Sequence, residues 1–301
     1  MEKQDLYVLE IGSVIKKRKE SFLISNNGNN LKEISSRKIK RIFLVGKQSI
    51  TPDAMEYALD KEIDVFFIAK SGRIKGSLIS KHSKNIFLRL AQYNVWCNRE
   101  ENLKIAKFFI SRKIVNQSKL LGRYNIRVSE YEWKVKVKRA KTLNEVLGIE
   151  GEFSKKYFSY FDDIIKSDLK FEKRSRRPAK NEFNSLLNLT YTMTKNNILN
   201  KLELEGFECY IGFLHGVKYG RESLALDVIE EIRASCDRII IKWVNRGEFR
   251  KVDFLKSEDG IVLSEKSFRK YIEKYSNEYN HGIENEINIA IKELKRILLE
   301  N

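Results

Sequence analysis

The 301-residue sequence has few cysteines, histidines and prolines. The scarcity of cysteine and the lack of long apolar runs exclude several classes of protein. Three cysteines, at positions 97, 209 and 236, are too few and too scattered for a zinc site or a disulfide framework. No apolar run approaches the ~20 residues that a membrane helix needs. The N-terminal segment MEKQDLYVLEIG also lacks the apolar core of a signal peptide. We therefore expect a cytoplasmic protein without a membrane partner.

Acidic residues are much fewer than basic residues. The sequence has 58 lysines and arginines against 41 aspartates and glutamates, a formal net charge of +17. Such an excess indicates a polyanionic partner, nucleic acid ahead of a membrane surface, although lysine can also serve solubility alone. With 42% hydrophobic residues, the chain can bury the core of one large or two medium domains.

Residues 1–80 are predicted to form a β-rich domain. Short apolar stretches recur between turn signals, and Ser71 with Gly72 joins two of them as a hairpin would. One helix interrupts the strands, with Thr51 as its N-cap and Pro52 at its first position. We expect a sandwich-like dimerisation domain that serves assembly rather than chemistry.

A polar stretch over residues 81–85, which includes His82, is the predicted linker. From residue 86 onward, the spacing of apolar residues changes from two to three and four, as in amphipathic helices. The predicted fold class is therefore α+β, with an N-terminal β-sandwich-like domain followed by a larger, mostly α-helical domain over residues 86–301. We expect the second domain to carry catalysis and DNA binding.

The first candidate site is a histidine followed by an acidic helix. His215 lies just upstream of a predicted helix whose N-cap is expected at Ser223. Asp227 and Glu230 are three residues apart, so they project from one side of that helix. Because residues 222–232 contain no lysine or arginine, these acids lack local partners. The pattern favours a metal site about as strongly as a solvated acidic face.

Glu150 is a second candidate. It lies between Gly148 and Gly151, where the backbone can turn freely and bring the carboxylate into a cleft. A surface turn is the alternative. His281 has only Gly282 beside it as a special feature, and we interpret it as a helix boundary.

A basic loop over residues 170–180 precedes another predicted helix. Arginine forks suit phosphates, and aromatic side chains suit exposed bases. We therefore predict DNA binding by Arg176 and Arg177 of the loop and by Asn184 and Tyr191 of the helix. A flexible, solvated loop is the alternative and is compatible with ordering on nucleic acid.

Four motifs together resemble one known family. LGIEG, RRPAKNEFNSLLNLTY, GFLHG and SLALDVIEEIR occur in the order seen in the CRISPR-associated (Cas) adaptation integrases, the universal "Cas one" family. The N-terminal pattern is similar to the β-sandwich domain of that family, so the resemblance covers nearly the whole chain. It implies a homodimeric, metal-dependent DNA endonuclease and integrase that inserts spacers into a CRISPR array by transesterification.

The resemblance also implies a set of site residues and partners. Glu150, His215 and Asp227 correspond to the metal-binding catalytic residues, and Glu230 stands where other members have a second acid, with Glu231 adjacent. Carboxylates suit Mg²⁺ or Mn²⁺, and one imidazole favours Mn²⁺. The implied partners are double-stranded and branched DNA and the small "Cas two" protein. The alternatives are a structure-selective nuclease acting on branched DNA and a non-catalytic nucleic-acid-binding assembly protein.

Overall fold

The computed structural model shows two compact units, Met1–Ser83 and Lys84–Asn301. The first is built mainly of strands and the second mainly of helices, which confirms the predicted α+β class. Dimerisation through the first unit stays a prediction. The structure describes residues 3–69, 72–80, 83, 85–176, 178–258 and 260–300.

Two four-stranded sheets make up the described part of the first unit. One has the order β1-β5-β7-β8 and the other β4-β3-β2-β6. Strands β1, β5 and β7 run parallel, whereas β8 returns antiparallel to β7, which confirms the predicted hairpin; Ser71 lies outside the described residues. The strands are β1 Gln4–Val8, β2 Val14–Arg18, β3 Ser21–Asn26, β4 Asn29–Ser35, β5 Ile39–Val45, β6 Ser49–Ile50, β7 Asp64–Ile68 and β8 Ile74–Leu78.

The core of this unit is shared by both sheets and one helix, α1 (Pro52–Asp60). Helix α1 begins after Thr51 with a proline at its first position, as predicted. Phe22 of one sheet, Val65 of the other and Ala58 of the helix are all fully buried in one apolar cluster. Burial of this shared apolar surface holds the two sheets together as a sandwich.

The second unit is a helical assembly with one small hairpin. Two short strands, β9 (Phe254–Ser257) and β10 (Gly260–Leu263), pair antiparallel and were not expected from the sequence pattern. The helices are α2 Ile86–Cys97, α3 Arg99–Gly122, α4 Glu130–Arg139, α5 Leu143–Ser159, α6 Phe161–Ile164, α7 Glu182–Glu205, α8 Ser223–Asn245, α9 Glu265–Glu278 and α10 Glu284–Glu300. Within the described helices, no segment combines the length and apolar character that crossing a membrane requires.

Helix α8 lies at the centre of this unit. It packs against α3, α7 and α10. Most of its residues are buried, including the apolar Leu224, Val228, Ile239 and Ile240. Because α8 is surrounded, its acidic residues cannot all face solvent, and the candidate site follows from that burial.

Three local predictions need correction. Gly148 and Gly151 lie inside α5 rather than in a turn, so Glu150 projects from a continuous helix. Glu222, not Ser223, is the N-cap of α8; Ser223 is its first residue and donates its hydroxyl to the Gly216 carbonyl at 3.1 Å. His281 lies within a five-residue π-helical segment that joins α9 to α10, so it marks an irregularity in a nearly continuous helix.

Substitution of glycine by alanine should have opposite effects on stability at Gly148 within α5 and at Gly206, which ends α7. Gly148 is exposed in mid-helix with nothing within 4 Å of an added Cβ, so Gly148→Ala should stabilise the protein by about 0.5–1 kcal/mol. Gly206 ends α7 with φ +95°, so Gly206→Ala should destabilise it by about 1 kcal/mol. Urea unfolding followed by circular dichroism measures both changes. Destabilisation by Gly148→Ala would contradict the helical assignment.

Candidate active site on helix α8

A buried lysine joins two of the predicted site residues. Lys113 of α3 has a side chain only 4% exposed, and its ammonium group contacts the Glu150 carboxylate of α5. The same Nζ atom lies 2.7 Å from Oε2 of Glu230 on α8. Ser154, one turn further along α5, donates its hydroxyl to Glu150 at 2.7 Å. The fold therefore brings Glu150 and Glu230, which are 80 residues apart in sequence, to one cation.

Neighbouring cations keep both carboxylates ionised. Burial alone would raise the pKa of Glu150, but the Lys113 ammonium outweighs it, so the pKa lies below its ordinary value. Burial opposes ionisation of Glu230 more strongly, yet Arg233 and Lys113 together lower its pKa well below the ordinary value. The pair therefore carries two negative charges at neutral pH, held against desolvation by neighbouring cations.

His215 is held by Asp227. Asp227 is fully buried, and its carboxylate accepts the backbone N–H groups of Phe213, Leu214 and His215 at 2.5–3.0 Å. The same carboxylate also accepts a hydrogen bond from Nδ1 of the His215 ring at 2.8 Å. Because a carboxylate only accepts, Nδ1 carries the proton and Nε2 is left as the nitrogen that can bind a ligand.

Both oxygens of Asp227 are thus committed to the loop before α8. Glu230, one turn later on the helix, instead pairs with two side-chain cations: Lys113, which it shares with Glu150, and Arg233. Glu231 has a different partner, because its Oε1 atom accepts a hydrogen bond from Arg112 of α3 at 2.8 Å. The geometry therefore groups Glu150 with Glu230, groups His215 with Asp227, and separates Glu231 from both.

Gly212 allows the loop that precedes α8 to pack directly against Asp227. A Cβ atom at that position would lie 2.8 Å from the Ser223 side chain and 2.9 Å from Oδ2 of Asp227. Real Cβ contacts do not become so short, so only glycine allows the backbone to reach the carboxylate. Sequence reasoning did not single out Gly212, although the GFLHG motif contains it.

A second buried network supports Glu230 from the other side. Arg233 donates to Glu230 at 2.9 Å, and its guanidinium lies 4.5 Å from the centre of the Tyr191 ring. The Tyr191 hydroxyl donates to Asp237, as does the hydroxyl of Tyr157 at 2.8 Å. Burial raises the pKa of Asp237 to about 6, although both hydroxyls favour its ionised form. The chain of contacts from Asp237 to Glu230 fixes the orientation of the catalytic candidate.

Asn184 and Tyr191, which were predicted to contact DNA, are buried in this structure. Asn184 is fully buried and accepts Arg174 of the basic loop at 2.9 Å, and Tyr191 is only 7% exposed. Both side chains anchor the loop and the network described above, so neither presents a surface to a nucleic acid. Arg176 is exposed, as a DNA contact requires, whereas Arg177 lies outside the described residues.

Two of the candidate residues offer oxygen donors of the kind that a divalent cation binds. In the described part of the chain, no three His, Cys, Asp or Glu side chains are already arranged around one point. Yet Glu150 and Glu230 converge on a single cation, the Lys113 ammonium, in a buried setting. Two carboxylates that already share one positive charge are the type of oxygen donor that Mg²⁺ and Mn²⁺ prefer.

Comparison with known proteins assigns the chain to a family. The family model described as CRISPR associated protein Cas1 matches residues 6–277. The chain belongs to the Cas1 family. A CRISPR-associated endonuclease Cas1 of Chlorobaculum tepidum is 32% identical over 286 residues, which cover 88% of this chain and 82% of that protein. Another, of Thermus thermophilus, is 28% identical over 93% of this chain and 86% of that protein.

Solved structures show the same fold. A Cas1 protein from Thermotoga maritima superposes with a TM-score of 0.86 at 24% identity, covering 98% of this chain and 97% of that one. A casposase bound to an integration product superposes with a TM-score of 0.85 at 24% identity, covering 100% and 91%. The α+β arrangement of this Cas1-family chain is therefore the arrangement of those proteins.

The tight approach at Gly212 generates a prediction. Gly212→Ala should displace the loop from Asp227 and destabilise the protein by about 1–3 kcal/mol. It should also release the Nδ1 hydrogen bond of His215, which ¹⁵N NMR of the imidazole detects as a change of tautomer. Gly216→Ala is the matched control, because an added Cβ there meets nothing within 4 Å. Equal effects of the two substitutions would contradict the proposed role of Gly212.

The buried Asp237 predicts a pH-dependent stability. Its ordinary pKa is 3.8 and burial raises it to about 6, so the folded protein binds this proton more tightly than the unfolded chain. Its ionisation therefore lowers the free energy of unfolding as pH rises from about 4 to about 6. The difference in stability between Asp237→Asn and the wild type should increase by about 3 kcal/mol over that range and then stay level.

Urea unfolding at a series of pH values checks this effect. Asp163→Asn, which removes an exposed carboxylate from α6, is the control and should show no such change with pH. A stability difference for Asp237→Asn that is flat between pH 4 and 6 would contradict the raised pKa.

Proposed function

We propose that this protein is a metal-dependent DNA endonuclease and integrase that inserts spacers into a CRISPR array by transesterification. The observation that carries the proposal is the convergence of Glu150 and Glu230 on one buried cation, Lys113. Helix α8, which supplies Glu230, also supplies the buried Asp227 that orients His215. Family membership supports it, because the relatives from Chlorobaculum tepidum and Thermus thermophilus are named CRISPR-associated endonucleases. The likeness of fold to a casposase bound to an integration product agrees with strand transfer.

In this proposal, Glu150, Glu230 and the Nε2 atom of His215 hold the divalent cation. Asp227 is a positioning residue, since its oxygens are occupied by three backbone N–H groups and by Nδ1 of His215. This assignment reverses the order expected from sequence, in which Asp227 is the firmer ligand. Carboxylate to histidine to metal is a common arrangement, in which the carboxylate fixes the ring and raises its basicity.

A bound Mg²⁺ or Mn²⁺ would polarise the scissile phosphate and stabilise the charge that develops on the leaving oxygen. The chain's own residues prepare that chemistry. Arg233 and Lys113 keep Glu230 ionised, and Lys113 and Ser154 hold the Glu150 carboxylate in place. The Lys113 ammonium would compete with a divalent cation for the carboxylates of Glu150 and Glu230, because it contacts both of them.

We also propose DNA and protein partners. The net charge of +17 and the exposed Arg176 suit the phosphate backbone of double-stranded or branched DNA, with binding that weakens steeply as salt increases. A Cas6-RT-Cas1–Cas2 complex contains a chain that resembles this one with a TM-score of 0.77 at 23% identity, over 35% of its length. A homodimer that binds a Cas2-type protein is the assembly that we propose.

A strand-transfer assay tests the function. A DNA fragment with 3′-hydroxyl ends is incubated with a plasmid that carries CRISPR repeats, in Mn²⁺ or Mg²⁺. Wild-type protein should join the two, and a chelator should abolish the product. Glu150→Ala, His215→Ala and Glu230→Ala should each reduce the rate at least about 100-fold, since each removes one metal donor.

Glu152→Ala is the matched control for Glu150→Ala, because Glu152 is exposed on the same helix and, among the described residues, forms an ion pair only with Lys136. Asp227→Asn should weaken metal binding about 10- to 100-fold, and higher Mn²⁺ should restore activity, as expected of a positioning residue. Product formation in chelator, or full activity in all three alanine variants, would refute the proposed site. Cleavage of branched DNA without any joining would instead indicate a structure-selective nuclease.

A further inference from the structure

A second feature of α8 lies beside the candidate active site. A cavity of about 360 Å³ opens between α3, α8 and α10. Five residues of α8 line it. Four of them recur every three or four residues and form one stripe along the helix, Glu231, Ala234, Ser235 and Arg238, and Ile232 lies next to that stripe. Glu230 does not line the cavity, so the cavity and the candidate active site use different side chains of α8.

The cavity contains positive charge that is not neutralised. Lys119, Arg123 and Arg238 line it, and none has a carboxylate within ion-pair distance in the described part of the chain. Arg112 differs, since it pairs with Glu231 at 2.7 Å and with Glu293 at 3.5 Å. Glu286 also lines the cavity, but its carboxylate accepts a hydrogen bond from Ser235 and pairs with none of these three cations. An anion in the cavity would therefore meet cations that have no ion-pair partner among the described residues.

The same cavity contains a buried acceptor without a donor. The Glu231 side chain is only 5% exposed; Oε1 accepts Arg112, whereas Oε2 has no hydrogen-bond partner among the described residues. Neighbouring donors are already used, because Ser235 donates to Glu286 at 2.5 Å and Asn116 donates to the Glu231 carbonyl at 2.9 Å. A buried carboxylate oxygen without a donor is destabilising, so a ligand N–H or O–H is its natural partner.

Apolar side chains complete the walls. Leu120 and Ile232 are buried, and the half-exposed Ile289 of α10 borders the cavity. The cavity thus combines free cations, an acceptor that lacks a donor, and apolar surface, in a volume within the range of small-molecule sites. Inorganic phosphate offers the negative charge and an O–H donor, but it has no apolar surface to match these walls. A nucleoside supplies the donor and the flat apolar ring as well.

We propose that this cavity binds a nucleotide, with its phosphate against Lys119, Arg123 and Arg238 and an amino or hydroxyl donor of the nucleoside on Oε2 of Glu231. The nucleotide comes either from the end of a DNA strand or from the free mononucleotide pool; the recognition chemistry is the same. The cavity does not share its side chains with the candidate metal site, so this binding does not depend on the proposed catalysis.

Calorimetric titration of the full chain with deoxyadenosine monophosphate tests the proposal. We expect saturable binding of one nucleotide per chain, and at least tenfold weaker binding of deoxyadenosine and of inorganic phosphate. Arg123→Gln combined with Arg238→Gln should weaken nucleotide binding at least tenfold. Ile289→Glu, which adds a negative charge at the exposed border, should do the same without disturbing the core.

Two controls separate this site from general electrostatics and from catalysis. Lys256→Gln combined with Lys266→Gln removes the same charge from exposed positions on β9 and α9 and should leave binding unchanged. His215→Ala should also bind the nucleotide normally, whatever its effect on strand transfer. The proposal is overturned by absence of binding to the wild type at millimolar nucleotide, by equal losses in the charge-matched control, or by inorganic phosphate competing as well as the nucleotide.

Competition identifies the source of the nucleotide. A 5′-phosphorylated deoxyadenosine octamer that displaces the mononucleotide, when its unphosphorylated twin does not, would indicate a strand end. Failure of both octamers to displace it would indicate free mononucleotide. Thermal unfolding of each variant shows whether a loss of binding reflects the cavity or the fold.

Discussion

Four buried carboxylates on one helix are the constraint on which the larger unit depends. A charge removed from water is tolerated only beside a compensating partner, and α8 cannot supply enough of these from its own turns. The partners come from elsewhere: loop N–H groups for Asp227, Lys113 for Glu230, Arg112 for Glu231 and tyrosine hydroxyls for Asp237. Each compensation ties another element to α8, so the same contacts that stabilise the helix assemble the site.

Sequence reasoning selected the candidate residues and placed Asp227 ahead of Glu230 as a ligand, but it could not foresee the contacts of either carboxylate. The three-residue spacing of Asp227 and Glu230 places both acids on one side of a helix, and the structure agrees. Their different contacts depend on Gly212, whose missing Cβ lets three backbone N–H groups reach Asp227 alone. Lys113 was not anticipated, because it is distant in sequence from both carboxylates that it joins and sits in a helix with many other lysines.

The fold was predictable where periodicity is strong and less so where it is local. The change of apolar spacing near residue 86 marks the passage from sheets to helices. The glycines around Glu150 suggested a turn, but Thr142 caps α5 and the helix continues through both of them. Asn184 and Tyr191 look like DNA contacts by residue type, whereas their burial depends on which way α7 faces, and composition does not encode that.

The buried carboxylates of α8 also limit where this protein can accept insertions and deletions. An inserted or deleted residue would rotate everything beyond it by about 100°, separating the carboxylates from partners supplied by four other segments. No nearby adjustment could restore contacts that originate on α3, α5 and α7 together. Insertions and deletions are therefore expected to fall in the segments that flank the helix, such as residues 216–221 and 246–253, while Ser223–Asn245 keeps a constant length.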